Sequence, residues 1–171
     1  MIAAFDTSFL SLALNPHQSP SLDPATGKPV ARVQERVNAL IDGFGVKGDV
    51  LIVPTPVLAE VLCVVPDLQK ALDRLNQSSA ISLSAFDVQA AVELAYIEKQ
   101  AITDGTYKSG NTPKQKAKFD RQIAIIAKVN GAKNLYTDDE NMANFARRID
   151  MNIVHTWQLP MPPPNQTNIG F

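Results

Sequence analysis

Cysteine is nearly missing from this 171-residue chain. Cys63 stands alone, so no disulfide can close within the chain and a reducing compartment is expected. As a lone thiol with no nucleophile signature around it, Cys63 reads as a small core residue. Histidine is almost as scarce. His17 and His155 are the only two, and they lie too far apart to read as a pair of zinc ligands. Excess charge is missing too: the formal net charge is −1, which excludes a molecule that binds nucleic acid through its whole surface and leaves only local binding. No apolar run is long enough to span a bilayer. The opening MIAAFDTSFLSLAL lacks a basic leader and carries Asp6, so it makes a poor signal peptide, and a cytoplasmic protein is expected. No Walker loop occurs, and Gly43 to Gly48, which spells G-x-G-x-x-G, follows a predicted helix and precedes a strand, the reverse of the dinucleotide-binding context, so a nucleotide cofactor has no support. There is no internal repeat.

At 45% hydrophobic and 19% charged residues, the chain suits one globular domain with a full core. Ile2 to Phe5 reads as a short strand, and Asp6-Thr7-Ser8 as the cap of a helix through Leu12. Asn15 to Pro29 holds four prolines and reads as a long surface loop, an insertion or a lid. Helical spacing returns from Val30 to Phe44, after which Gly43, Gly45 and Gly48 are expected to break the chain. Val50 to Val53 follows as a buried strand, then Thr55-Pro56 as N-cap and first residue of a helix over Val57 to Val65.

A polar-faced helix over Asp67 to Gln77, a strand from Ile81 to Phe86, and a helix capped by Asp87 and reaching about Ile102 continue the alternation. Thr103 to Pro113 is a second polar loop. Next comes a helix that ends near Asn130-Gly131, a strand at Asn134 to Tyr136, a helix containing Met142, Phe145 and Ala146, and a last strand at Asn152 to Val154. Alternating β and α units with short apolar strands predict an α/β fold, a mostly parallel central sheet flanked by helices. One domain over residues 1–156 is expected, followed by a proline-rich tail over 157–171 that lies on the surface or stays disordered.

Acidic residues stand out against this frame. Asp120 precedes Ile123, Ala124 and Ala127 at spacings of three, four and seven, which puts a carboxylate on a buried helix face. Glu60 is the sole charge between Asp49 and Asp67 and is expected to be buried, where an unpaired carboxylate costs several kcal/mol unless something compensates it. Asp6 and the Asp138-Asp139 pair follow strand ends, where loops of an open parallel sheet form the usual crevice. Each acid also has a plain structural role open to it, as a helix cap, a dipole partner or an ion-pair member. Together, carboxylates without histidine select hard, oxygen-loving ions, so Mg²⁺ or Mn²⁺ is implied over Zn²⁺. Lys108, Lys114, Lys116, Lys118 and Arg121 surround Asp120 in sequence. Lys114, Lys116, Lys118 and Arg121 read as an RNA phosphate-tracking rim, or as a solvated helix face.

Four segments carry a resemblance over residues 1 to about 154. FDTSFL (Phe5 to Leu10), PVLAEVL (Pro56 to Leu62), FDRQIAIIA (Phe119 to Ala127) and LYTDDENM (Leu135 to Met142) resemble, in this order, the motif regions of PIN-domain ribonucleases, VapC-like toxins in particular. The resemblance implies a PIN-like fold and assigns Asp6, Glu60, Asp120 and Asp139 as catalytic, metal-binding carboxylates, oriented by Thr7, Ser8 or Thr137. The doublet leaves open whether Asp138 or Asp139 is the fourth ligand, and Asn141 stands where the family often has a further acid. The resemblance further implies an RNA substrate, a homodimer, and an antitoxin whose tail enters the acidic cleft. Leu10, Leu12 and Leu14, or Val33 and Val37, are candidates to dock such a partner or to fill the core.

The chemistry of the residues agrees with that assignment. Clustered carboxylates hold one or two divalent ions that activate water for in-line attack on phosphorus, predicting products with a 5′-phosphate and a 3′-hydroxyl. A haloacid-dehalogenase-like phosphatase needs a second Asp where Ser8 stands. The remaining alternatives are a non-catalytic PIN-like module that binds RNA or protein and a housekeeping PIN nuclease.

Overall fold

The computed structural model describes residues 1–105 and 114–162. In chain order the elements are β1 (Ile2–Phe5), α1 (Thr7–Leu14), α2 (Val33–Lys47), β2 (Val50–Pro54), α3 (Thr55–Leu62), α4 (Leu68–Gln77), β3 (Ile81–Ser84), α5 (Val88–Thr103), α6 (Lys114–Val129), β4 (Asn134–Tyr136), α7 (Glu140–Arg148) and β5 (Asn152–Val154). The strands form one all-parallel sheet in the order β3-β2-β1-β4-β5. The chain thus builds outward from β1 to β3, then crosses back to lay β4 on the other side of β1. That reversal puts the topological switch point between β1 and β4, where Asp6 and Thr137 follow their strands.

Consecutive strand residues Ala3, Ala4 and Phe5, and Leu51, Ile52 and Val53, are all buried. Alternate strand residues face opposite ways, so helices must cover both faces. Phe5, Phe9, Phe44 and Tyr136 pack ring against ring beneath the carboxyl end of β1, with centroids 5.4 to 6.4 Å apart. Such edge and tilted geometries suit aromatic quadrupoles. Leu10, Leu12, Leu14, Val33 and Val37 are all buried, so these five candidates for partner docking belong to the core.

Several elements depart from their predicted limits. α2 runs through Gly43 and Gly45 and stops at Gly48, whose φ of 67° suits glycine. Each helical glycine costs about 1 kcal/mol, which burial of Val37, Ile41 and Phe44 on one face outweighs. α3 ends at Leu62, so Cys63 falls at its C-cap and is exposed, contrary to its expected place in the core. The Asn15 to Pro29 stretch is a surface loop pinched by a Leu22–Pro29 bridge and anchored by Gln34 Nε2, which donates to the carbonyls of Asn15 and Pro16. Packing continues beyond residue 156: a short 3₁₀ turn spans Thr156–Gln158, and buried Leu159 accepts a hydrogen bond from Arg36 Nη1 at 2.9 Å. The first residues assigned to the tail therefore pack against the domain. No helix among the described residues is long and apolar enough to cross a membrane.

Candidate active site

Asp6 sits where β1 turns into α1. Its extended backbone makes it the N-cap, and its Oδ1 accepts from Phe9 N at 2.9 Å and Ser8 Oγ at 2.6 Å. Its Oδ2 accepts from Thr137 Oγ1 at 2.5 Å, across the switch point. The Thr137 hydroxyl in turn accepts from Asp139 N at 2.9 Å, and Ser8 Oγ accepts a longer bond from Asp138 N at 3.4 Å. Two hydroxyls thus staple the end of β1 to the end of β4. Burial raises the Asp6 carboxyl to about 6 against the lowering effect of its three donors, and the nearby Asp138 charge raises it further.

Asp120 lies in the second turn of α6, at the head of the run Ile123 to Ala127, every residue of which is buried. The predicted single buried face was too narrow. α6 packs against α5, α7, α3 and β2, so its second half is covered on every side, while its first turns stay polar and exposed. Asp120 is only 7% exposed, and its Oδ2 finds no hydrogen-bond partner among the described residues. Burial, then the charges of Asp139 and Glu60, raise its carboxyl to about 6, with Lys116 opposing. The charges of Asp139, Glu60 and Lys116 thus all act on Asp120.

Glu60 is exposed, not buried as expected. α3 turns Val57 and Val61 inward, and its remaining faces, although apolar in composition, meet solvent or the crevice. The compensation comes from Thr7 Oγ1, which donates to Glu60 Oε2 at 2.5 Å.

The acidic doublet after β4 divides its labour. Asp138 is committed to the chain's last turn: Oδ1 accepts from Thr156 N at 2.8 Å and Oδ2 from Thr156 Oγ1 at 2.7 Å. Asp139 is the N-cap of α7, its Oδ1 accepting from Asn141 N and Met142 N, while its Oδ2 takes the Lys116 ammonium. Burial raises the Asp139 carboxyl, but Lys116 and the two backbone donors outweigh it and hold the group below its usual range. Geometry therefore favours Asp139 over Asp138 as the fourth site carboxylate. Asn141 contributes its backbone N–H to this cap, and its exposed side chain has no place among the acids.

The basic rim is smaller than the sequence suggests. Arg121 turns away: its Nη1 pairs with Glu98 on α5 at 2.9 Å, and its guanidinium lies 5.9 Å from the Phe145 ring. It braces α6 against its neighbours and leaves the rim. Lys116 is drawn into the acids, and Lys118 stays exposed. Lys108 and the Lys114 side chain lie outside the described residues.

Sequence reasoning missed the brace behind the doublet. The His155 ring stacks on Trp157 at 4.3 Å and 10°, and Nδ1 donates to the Thr137 carbonyl at 2.6 Å. A carbonyl can only accept, which fixes the proton on Nδ1. Nothing near Asp138 in sequence signals this contact, because its partners lie 18 residues on.

Among the described residues, no three acidic, histidine or cysteine side chains stand ready-made as a metal-holding group. The donor set nevertheless fits a hard divalent ion. All four candidates offer carboxylate oxygens, one oxygen is buried without a partner, and a cation already sits against the acids. A separate cleft of about 270 Å³, with Leu12, Leu14, Asn38, Lys70 and Arg74 in its wall, is lined by none of the four.

The backbone is similar to those of solved structures. VapBC2 from Rickettsia felis, bound to a DNA fragment from its promoter, matches with a TM-score of 0.57 at 16% identity, covering 91% of this chain and 98% of that one. DNA-bound VapBC from Salmonella typhimurium matches at 0.53 and 15% identity, covering 91% and 99%. The fold is PIN-like. No family model and no curated protein sequence matches, so the likeness rests on shape. Within the PIN-like fold, Asp6 and the Asp139 cap stand at the ends of β1 and β4, on the two sides of the switch point.

Proposed function

We propose that this chain is a Mg²⁺- or Mn²⁺-dependent endoribonuclease that acts as the toxin of a toxin-antitoxin pair. The observation that carries the reading is Asp120 Oδ2, buried and unpartnered beside Glu60 and Asp139. A lone buried carboxylate oxygen is costly, and a divalent ion held by Asp6, Glu60, Asp120 and Asp139 removes that cost. When bound, such an ion supplies positive charge to the developing phosphorane-like charge and lowers the pKa of water. The chain's own residues do the rest. Ser8 and Thr137 fix both oxygens of Asp6, Thr7 orients Glu60, and the Asp138–Thr156 bonds hold the β4–α7 turn that carries Asp139. Such rigid positioning is what a ligand set requires of its supporting side chains. Lys118 and Lys114 flank this mouth in sequence and supply the phosphate contacts.

The toxin reading draws on the two solved neighbours, both VapBC assemblies. It carries with it an antitoxin partner and a homodimer.

The test is RNA cleavage by purified protein. Cleavage is expected with Mg²⁺ or Mn²⁺, to be abolished by EDTA, and to leave 5′-phosphate and 3′-hydroxyl ends. Asp6→Asn and Asp120→Asn should each remove most of the activity, since loss even of a group that only orients a metal ligand typically costs about 10- to 100-fold. Expression in bacteria should arrest growth, with Asp6→Asn relieving the arrest. EDTA-resistant cleavage by both variants sinks the assignment, and normal growth with active soluble protein turns it toward a housekeeping nuclease.

A further inference from the structure

Lys116 was singled out in sequence as part of a phosphate-tracking stripe, yet its ammonium is engaged inside the acidic mouth. It stands one turn before Asp120 on α6, so both side chains share a helix face. From there it reaches the N-cap of α7 and pairs with Asp139 Oδ2. Its charge is also felt by Asp120 and Glu60. One monovalent cation thus serves three of the four candidate ligands, and it occupies the only Asp139 oxygen that the α7 cap leaves open.

The pair is built to be broken. Lys116 is 51% exposed and Asp139 24%, so neither is locked by packing. Exposed ion pairs of this kind contribute little and exchange readily. Asp120 Oδ2 is left without a donor even with Lys116 in place, so the ammonium satisfies the acids incompletely.

We propose that Lys116 is a built-in counter-cation that competes with the divalent ion for Asp139 and swings out to the rim when the ion binds. The inference rests on the metal-dependent reading given above and adds its regulation. A dication beside Asp139 repels the ammonium, and the freed side chain, four carbons long, moves to where an RNA phosphate passes. Lys116 thereby links occupation of the acidic centre to the gain of a phosphate contact. The arrangement keeps the four acids partly neutralised before the ion arrives.

The test measures Mn²⁺ binding directly, by titration calorimetry and by loss of the free-ion EPR signal, at one pH and fixed salt. Wild type is compared with Lys116→Gln, which removes the charge, and Lys116→Arg, which keeps it. Lys116→Gln should bind Mn²⁺ roughly fivefold more tightly, the gain expected from removing a weak competing ion pair. Lys116→Arg should stay within about twofold of wild type. Melting curves confirm that both variants fold, which an exposed position makes safe. Equal Mn²⁺ affinity in wild type and Lys116→Gln, or weaker binding by the glutamine variant, overturns the counter-cation role while leaving the metal site standing. Absence of Mn²⁺ binding in all three overturns both readings together.

Discussion

Asp6 and Asp120 carry the strongest pH signature. Both fold with carboxyls raised from 3.8 to about 6, so between those values the folded chain holds protons the unfolded chain has released. Stability then falls as pH rises. Metal-free protein should therefore lose melting temperature from pH 4 to about 6 and level off above. Asp139, held below its usual range, contributes the opposite sign and loses its contribution only in stronger acid. Mn²⁺ should abolish the decline, because it binds the ionised carboxylates. Asp120→Asn removes a buried charge whose Oδ2 has no donor, so at pH 8 without metal it should melt roughly 2–4 °C higher, the shift that ~1 kcal/mol gives in a chain of this size. The same variant should lose its Mn²⁺-induced rise. A lower melting point for Asp120→Asn at pH 8 would show that the carboxylate stabilises the fold and is no strained functional group.

α6 shows what was readable from sequence and what was not. The spacing of Asp120, Ile123, Ala124 and Ala127 announces a carboxylate on a core face, and Gly131, at φ 82°, closes the helix where expected. Periodicity could not tell that Ile125 and Ile126 are buried as well, because covering a second face depends on α5 and α7 arriving from elsewhere in the chain. The error at Glu60 has the same root: α3 is apolar in composition on every side, but only the face with Val57 and Val61 meets the core. Strands at Ile2 to Phe5, Asn134 to Tyr136 and Asn152 to Val154 fell where predicted, since short apolar runs between turn signals leave little freedom. Arg121 and Lys118 separate the two roles the basic cluster was given. Arg121→Met should cost about 1 kcal/mol by releasing Glu98 and leave the salt dependence of RNA binding unchanged. Lys118→Gln should leave stability unchanged and flatten that slope by about 0.7 for single-stranded RNA. Equilibrium unfolding and a salt titration read the two effects separately.

On the scale of the molecule, residues on both sides of the expected boundary at 156 close the body. Leu159 is buried and its carbonyl takes Arg36 Nη1, and Thr156 holds Asp138. Truncation after residue 155 should cost about 2–3 kcal/mol, the burial of one leucine with its lost bonds. It should also lower RNA cleavage by loosening the turn before Asp139. A truncated chain with unchanged unfolding midpoint and activity would place the boundary ahead of the expected one at 156.

Asp6 comes from the turn after β1, Glu60 from α3, Asp120 from α6, and Asp139 from the turn after β4. Synthesis proceeds from the amino end, and domains fold largely as units. A nascent chain that has emerged only as far as β3 holds two of the four acids and has neither β4 nor the Thr137 staple that fixes Asp6. If the chain is a toxin, its synthesis is harmless until the turn after β4 has emerged. A ribosome that stalls early releases an inert fragment, and the producing cell has the length of translation in which to supply an inhibitor.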